Sequence, residues 1–200
     1  MRHGWPRMTP DYFATLHQAR RPWLEAAELK EQFHRASSVL HPDVPGTGDA
    51  AQFSALNTAY TALSEPASRL RHLLALEAPD QIARPRAISE KLADFFMQLA
   101  EQRRALDAFF QKQNAAASAI TRALLAHEKI ALAQRCEAAQ DALESAHENL
   151  LAELRKLDAN WNPGDAEKIE QLASLHQQFA YLSKWRGQLR EAIFQLGSAS

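Results

Sequence analysis

The chain has 200 residues, 46% of them apolar, with 24% charged residues and a formal net charge of −1. This is enough apolar content for one large or two small packed domains, and too little positive excess for a general nucleic-acid or membrane-surface binder. The single cysteine, Cys136, excludes an internal disulfide framework and any multi-cysteine metal site. No apolar run is long enough for a secretory leader or a bilayer span, so a cytoplasmic protein is expected.

No glycine occurs between Gly48 and Gly164, and that stretch is rich in Ala, Leu, Glu, Gln and Arg. These residues lose little side-chain freedom in a helix, and no alternating β-branched run of strand length appears anywhere, so the chain reads as all-α. "PDYFATL" forms a short first helix entered through Thr9 or Asp11. Leu29, Phe33, Ala36 and Leu40 then give one apolar stripe, which Pro42 ends. After "VPGTGDA", the residues Phe53, Leu56, Asn57, Tyr60 and Leu63 repeat the pattern until Pro66 closes the segment. Two amphipathic helices joined by such a loop should lie antiparallel with their stripes buried together. "SRLRHLLAL" adds further apolar residues, and the prolines of "EAPDQIARPRAIS" mark a linker.

Beyond the linker, Ile88, Leu92, Phe95, Leu99, Leu106 and Phe109 define one helix. A turn is expected near Gln113 to Ser118. Leu132, Cys136, Ala139, Leu143, Ala146 and Leu150, continued by Leu154 and Leu157, then step by heptad spacing. "NWNPGDAE" is a turn with Asp165 as N-cap of a last helix, whose stripe runs Ile169, Leu172, Leu175, Phe179, Leu182, Trp185, Leu189 and Ile193. This part predicts a three-helix antiparallel bundle. The heptads could equally pair within one chain or between chains, which leaves the oligomeric state open. Cys136 falls on the stripe and reads as a small core residue, and Trp161 and Trp185 as packing residues.

"LHPDV", Leu40 to Val44, places His41, Pro42 and Asp43 where the first stripe breaks off. Catalysis is a poor reading of this corner. His41 and Asp43 straddle a proline, no serine or cysteine is placed to join them, and no glycine-rich phosphate cradle exists. His34 and His41 stand two helical turns apart, too far to share one ion. Recognition suits it better: a proline-fixed turn at the tip of a helical hairpin can offer a carboxylate to a partner's arginine, a charge-assisted bidentate contact.

"DYFATL", "LKEQFHRASSVLHPDV" and "FSALNTAYTALSEPASR", with Tyr12, Leu16, Leu29, Phe33, Phe53, Tyr60 and Leu63 at the matching core positions, resemble the J-domain of DnaJ-type cochaperones. The resemblance implies docking on a DnaK-type chaperone and stimulation of its ATP hydrolysis through His41, Pro42 and Asp43. The basic face of the second helix, here Lys30, His34 and Arg35, would supply electrostatic attraction. Val39 stands where the family often has lysine, and Glu31 dilutes the positive face, so weak and selective docking is expected.

No Gly/Phe-rich segment and no Cys-x-x-Cys repeat follows the hairpin, and the layout is similar to HscB, the cochaperone of iron–sulfur cluster assembly. That resemblance implies a J-domain at 1–76, a linker at 77–87 and a client-binding bundle at 88–200. It implies a HscA-type chaperone and an IscU-type scaffold as partners, with no catalytic activity, cofactor or metal of the chain's own. The N-terminal cysteine pair that binds metal in some members is absent. "FFMQLAEQRRALD" is similar to the helix that binds the scaffold: Phe96, Met97 and Glu101 match in type, Leu99 would widen the apolar strip, and Tyr181 would complete it from the last helix. Arg104 stands where a carboxylate is expected. Two other readings stay open: a J-domain protein with a different client, and an all-helical assembly protein with a fortuitous His-Pro-Asp.

Overall fold

The computed structural model describes residues 10–41, 49–84, 86–87, 90–116 and 118–198. Among these residues it is all-α, without a strand: α1 (Tyr12–Thr15), α2 (Ala26–Leu40), α3 (Ala50–Ser64), α4 (Pro66–Glu77), α5 (Glu90–Ala115), α6 (Ala119–Ala159) and α7 (Ala166–Ser198), with a 3-10 turn at Pro79–Gln81. The chain divides into two compact units, Met1–Pro85 with Leu151–Phe179, and Arg86–Leu150 with Ala180–Ser200.

In the first unit, the Asp11 carboxylate caps α1 by accepting from the Ala14 N–H at 3.2 Å. The helix buries Phe13 and Leu16 completely and ends with His17 in the left-handed region at φ 51°. Helix α3 begins at Asp49, whose side chain accepts from the N–H groups of Ala51 and Gln52 at 2.9 and 3.0 Å. The Gln52 amide also donates to it, and these bonds hold its pKa below the ordinary carboxylate value. Phe33 stacks on Tyr60 with centroids 4.2 Å apart, and His41 meets Phe53 at 5.2 Å. Later residues of α2 thus meet earlier residues of α3, and the two helices lie antiparallel as their stripes require.

Pro66 both ends the α3 segment and opens α4, because the first helical position tolerates a residue without an N–H. The run "SRLRHLLAL" is the interior of that helix, with Leu70, Leu73 and Leu74 fully buried. Each such leucine contributes about 1.5–3 kcal/mol by leaving water. The end of α6 and the start of α7 pack in this same unit, burying Leu154, Leu157, Ile169, Leu172, Leu175 and Phe179. Asp165 caps α7 through the N–H groups of Glu167 and Lys168, as its place in the sequence predicts.

Polar groups join the same core. The Arg69 guanidinium, 4% exposed, donates to the carbonyls of Pro22 (2.9 Å) and Leu63 (2.8 Å). Asp158, also buried, accepts a bidentate contact from Arg21 and the Trp23 N–H at 3.0 Å. Burial pushes the Arg69 pKa down to about 10, against the pull of Glu65 and Asp158, so it stays charged at neutral pH. The Trp161 indole donates to the Arg20 carbonyl at 3.1 Å, and Arg155 lies 4.2 Å over the Trp23 ring.

The second unit is built from α5, most of α6 and the last part of α7. Helix α5 ends at Ala115 and α6 begins at Ala119, so the break between them falls within the predicted interval. Lys112 bonds Glu128 at 2.8 Å, and the Gln102 amide lies 3.4 Å from Cys136 Sγ. The two pairs fix an antiparallel register. Leu99, Leu106, Phe109, Leu132, Cys136, Leu143, Leu150, Leu182, Leu189 and Leu196 form the core, and Leu132, Cys136, Leu143 and Leu150 among them belong to the predicted stripe of α6. Burial pushes the Cys136 thiol up, so it packs as a small apolar residue. Ile88 lies outside the described residues, as does the Leu92 side chain.

Candidate functional site

His41 is the C-cap of α2. Its N–H donates to the Ser37 carbonyl at 3.0 Å and its backbone is extended (φ −57°, ψ 132°), the conformation a following proline demands. The half-buried imidazole packs edge-on against Phe53. Across the base of the loop the Asp49 N–H donates to the Leu40 carbonyl at 3.2 Å, so the two helix ends are tied at the point where the corner leaves them. Pro42 and Asp43 lie outside the described residues.

On α2, Lys30, His34 and Arg35 are all exposed, on the side away from Leu29, Phe33 and Leu40. Arg35 donates to Glu31 one turn earlier at 2.7 Å, so the helix partly answers its own positive charge. Val39, 53% exposed, adds an apolar spot to that face beside the corner. The α2 surface is therefore basic at Lys30 and His34 and mixed further on.

Phe96 on α5 and Tyr181 on α7 come together with ring centroids 5.5 Å apart. Trp185, one turn along α7 from Tyr181, stacks on the same Phe96 ring at 6.2 Å and 15°. The half-buried Phe96 is thus set into α7 by two aromatics. Met97 is 59% exposed and Glu101 is exposed one turn on. Leu99 does not widen this strip: it is 5% exposed and belongs to the core, because its position turns it toward the stripe of Leu106 and Phe109. Trp185, expected only to pack, also holds the Phe96 ring, and Asp94, to which the sequence gives no role, is exposed three residues before Met97. The i, i+4 spacing of Tyr181 and Trp185, and the carboxylates at three and four residues from Met97, were the signals for both. Arg104 is exposed on the same side of α5, so the acidic edge ends in a positive charge.

Near α1, His72 is 7% exposed, and its Nε2 accepts the Tyr12 N–H at 3.0 Å. Its ring stacks on Tyr12 at 4.2 Å. Burial lowers its pKa, with Asp11 opposing and Arg20 reinforcing the shift. Arg20 bridges Asp11 and Glu77 at 2.8 and 3.1 Å. Burial works against ionisation of Asp11, but the bonds from Arg20 and Ala14 outweigh it and its pKa is lowered. Among the described residues no group of three or more His, Cys, Asp or Glu could hold a metal ion, and no helix is long and apolar enough to cross a membrane.

No protein-family model matches the sequence, and no curated protein matches it. Solved structures do match. The chain is similar to the chaperone HscB from Vibrio cholerae, at 20% identity and a TM-score of 0.51, over 94% of this chain and 99% of that one. It is also similar to the human co-chaperone protein HscB, at 16% identity and a TM-score of 0.50, over 93% of this chain and 83% of that one. At these identities the likeness speaks for architecture, and over nearly its whole length the chain has the all-α HscB-type fold.

Proposed function

We propose that this chain is a cochaperone of the iron–sulfur cluster assembly type. Its N-terminal helices dock on a DnaK-type chaperone of the HscA kind and stimulate ATP hydrolysis through His41, Pro42 and Asp43. The α2 face with Lys30, His34 and Arg35 attracts the chaperone's acidic surface. Phe96, Met97, Glu101 and Tyr181 carry an IscU-type scaffold. The chain does no chemistry of its own; by holding both partners it raises their effective concentration.

The single observation that carries this reading is the hairpin of α2 and α3, closed by the Asp49–Leu40 bond directly across the His-Pro-Asp segment. The HscB-type fold of the two solved structures supports it. On the client side, exposed Met97 beside a Phe96 anchored on Tyr181 and Trp185 is the geometry of an interface anchor with a prepaid ordering cost.

The test is single-turnover ATP hydrolysis by an HscA-type chaperone, with and without this chain, and then with an IscU-type scaffold added. A rate raised by the chain and raised further by the scaffold is expected. No stimulation under either condition sinks the proposal. Arg104 at the end of the acidic edge favours a second reading, a J-domain protein with another client. Stimulation by the chain that no scaffold augments selects it.

A further inference from the structure

We propose that the groove bounded by α1, α3 and α4 in the first unit binds an acidic peptide segment of a partner protein. Its volume is about 730 Å³, within the roughly 300–1,000 Å³ range of ligand clefts. One wall is Ser54, Thr58 and Thr61, at i, i+4 and i+7 on α3; the other is Ser68 and Arg71 on α4; His72 sits between them.

These residues form a set of donors with one positive charge and no carboxylate among the groove residues. Thr58 gives its hydroxyl hydrogen to the Ser54 carbonyl at 2.9 Å. Among the described residues, no hydrogen bond or ion pair engages the Ser54, Thr61 or Ser68 hydroxyls, and none engages the exposed Arg71 guanidinium. Because Nε2 of His72 accepts the Tyr12 N–H, the proton of its neutral ring sits on Nδ1, a further donor. A guanidinium with hydroxyls on both sides recognises a carboxylate by charge-assisted bonds and leaves a basic ligand unpaired.

The length of the rows points to a peptide over a small anion. Ser54 to Thr61 spans about 10 Å along α3, the length of about three residues of extended chain. A lone anion would reach Arg71 and leave the Ser54, Thr61 and Ser68 hydroxyls unused, whereas an extended segment offers them carbonyls along its length. The groove therefore suits a short extended stretch with a Glu or Asp at Arg71.

The experiment is an NMR titration of the full chain with a capped peptide of four Glu-Ser repeats, its Gln-Ser counterpart, and inorganic phosphate. Saturable amide shifts confined to 54–62 and 68–75 are expected with the Glu peptide, weakened by high salt. Arg71→Gln should weaken binding about tenfold, with Arg71→Lys recovering part, while circular dichroism stays unchanged because the side chain is exposed. The proposal is overturned by an absence of shifts in that region, by equal shifts from the Gln peptide, by unchanged binding in Arg71→Gln, or by phosphate alone saturating the same amides.

Discussion

The imidazole of His41 meets the edge of Phe53 at 5.2 Å and 75°, one residue past the end of α2 and in the first turn of α3. The contact ties the first residue of the His-Pro-Asp segment to the helix on the far side of the loop. It does for side chains what the Asp49–Leu40 bond does for the backbone. In the proposed function, the corner is held because both helix ends are held.

Phe53→Ala therefore removes an aromatic contact worth about 0.5–1.5 kcal/mol beyond the area it buries. Urea denaturation should show a loss of about 1–3 kcal/mol, since Phe53 is half-buried. Stimulation of the chaperone should fall while the helical signal at 25 °C remains. Full stimulation by a folded Phe53→Ala chain would separate the corner's action from this anchor.

Asp158 is an acid in the last turn of α6 that accepts from Arg21 and Trp23 and lies near the buried Arg69. Asp158→Ala leaves the Trp23 N–H without its partner and Arg69 with Glu65 as the remaining one of the two carboxylates that offset its charge. The expected cost is about 2–4 kcal/mol. Asp158→Asn keeps an acceptor and should cost less. Equal stability of both variants and the parent, measured by urea denaturation, would contradict the network.

The first unit also shows what the sequence could not reveal. Periodicity located α2, α3, α5, α6 and α7, the break between α5 and α6 and the Asp165 cap, because each rests on local spacing and local caps. Helix α4 was hidden behind Pro66, which reads as a terminator although it equally starts a helix. The four-three stripe from Leu132 to Leu150, continued after a second step of four by Leu154 and Leu157, states that a face is buried, not against what, so it does not name the N-terminal helices as the elements that 151–179 packs with. The same limit hid Leu99. A strip of apolar residues on α5 does not declare which members face the core. Of the corner, His41 is resolved as a packed residue, and Pro42 and Asp43 lie outside the described residues.

His72 makes the first unit sensitive to acid. Its folded pKa is lowered, so above the ordinary imidazole value of about 6.5 both folded and unfolded states are neutral and its packing is fully retained. As pH falls below that value the unfolded chain takes up a proton that the folded state resists. Stability then declines until the folded pKa is reached. Protonation would also end the acceptance of the Tyr12 N–H. Urea midpoints should fall from pH 7 to pH 5, and the fall should shrink in His72→Gln, whose side-chain carbonyl can still accept. An identical pH slope in that variant would assign the effect to other groups.

On α5, neighbouring residues should separate stability from binding. Met97→Ala, at a site 59% exposed, should change stability by less than about 0.5 kcal/mol and weaken binding of an IscU-type scaffold. Phe96→Ala removes the ring that Tyr181 and Trp185 hold; it should cost about 2 kcal/mol and weaken the same binding. Calorimetric titration of both variants is the check. Unchanged affinity in Met97→Ala would move the client elsewhere.

The most direct measurement is chaperone ATP hydrolysis stimulated by the parent chain and by Asp43→Asn at equal concentration, with circular dichroism of both. The substitution keeps size and shape and removes only the charge that a partner's arginine would grip. Two identically folded proteins are expected, of which Asp43→Asn has lost stimulation. Equal stimulation by both would contradict it.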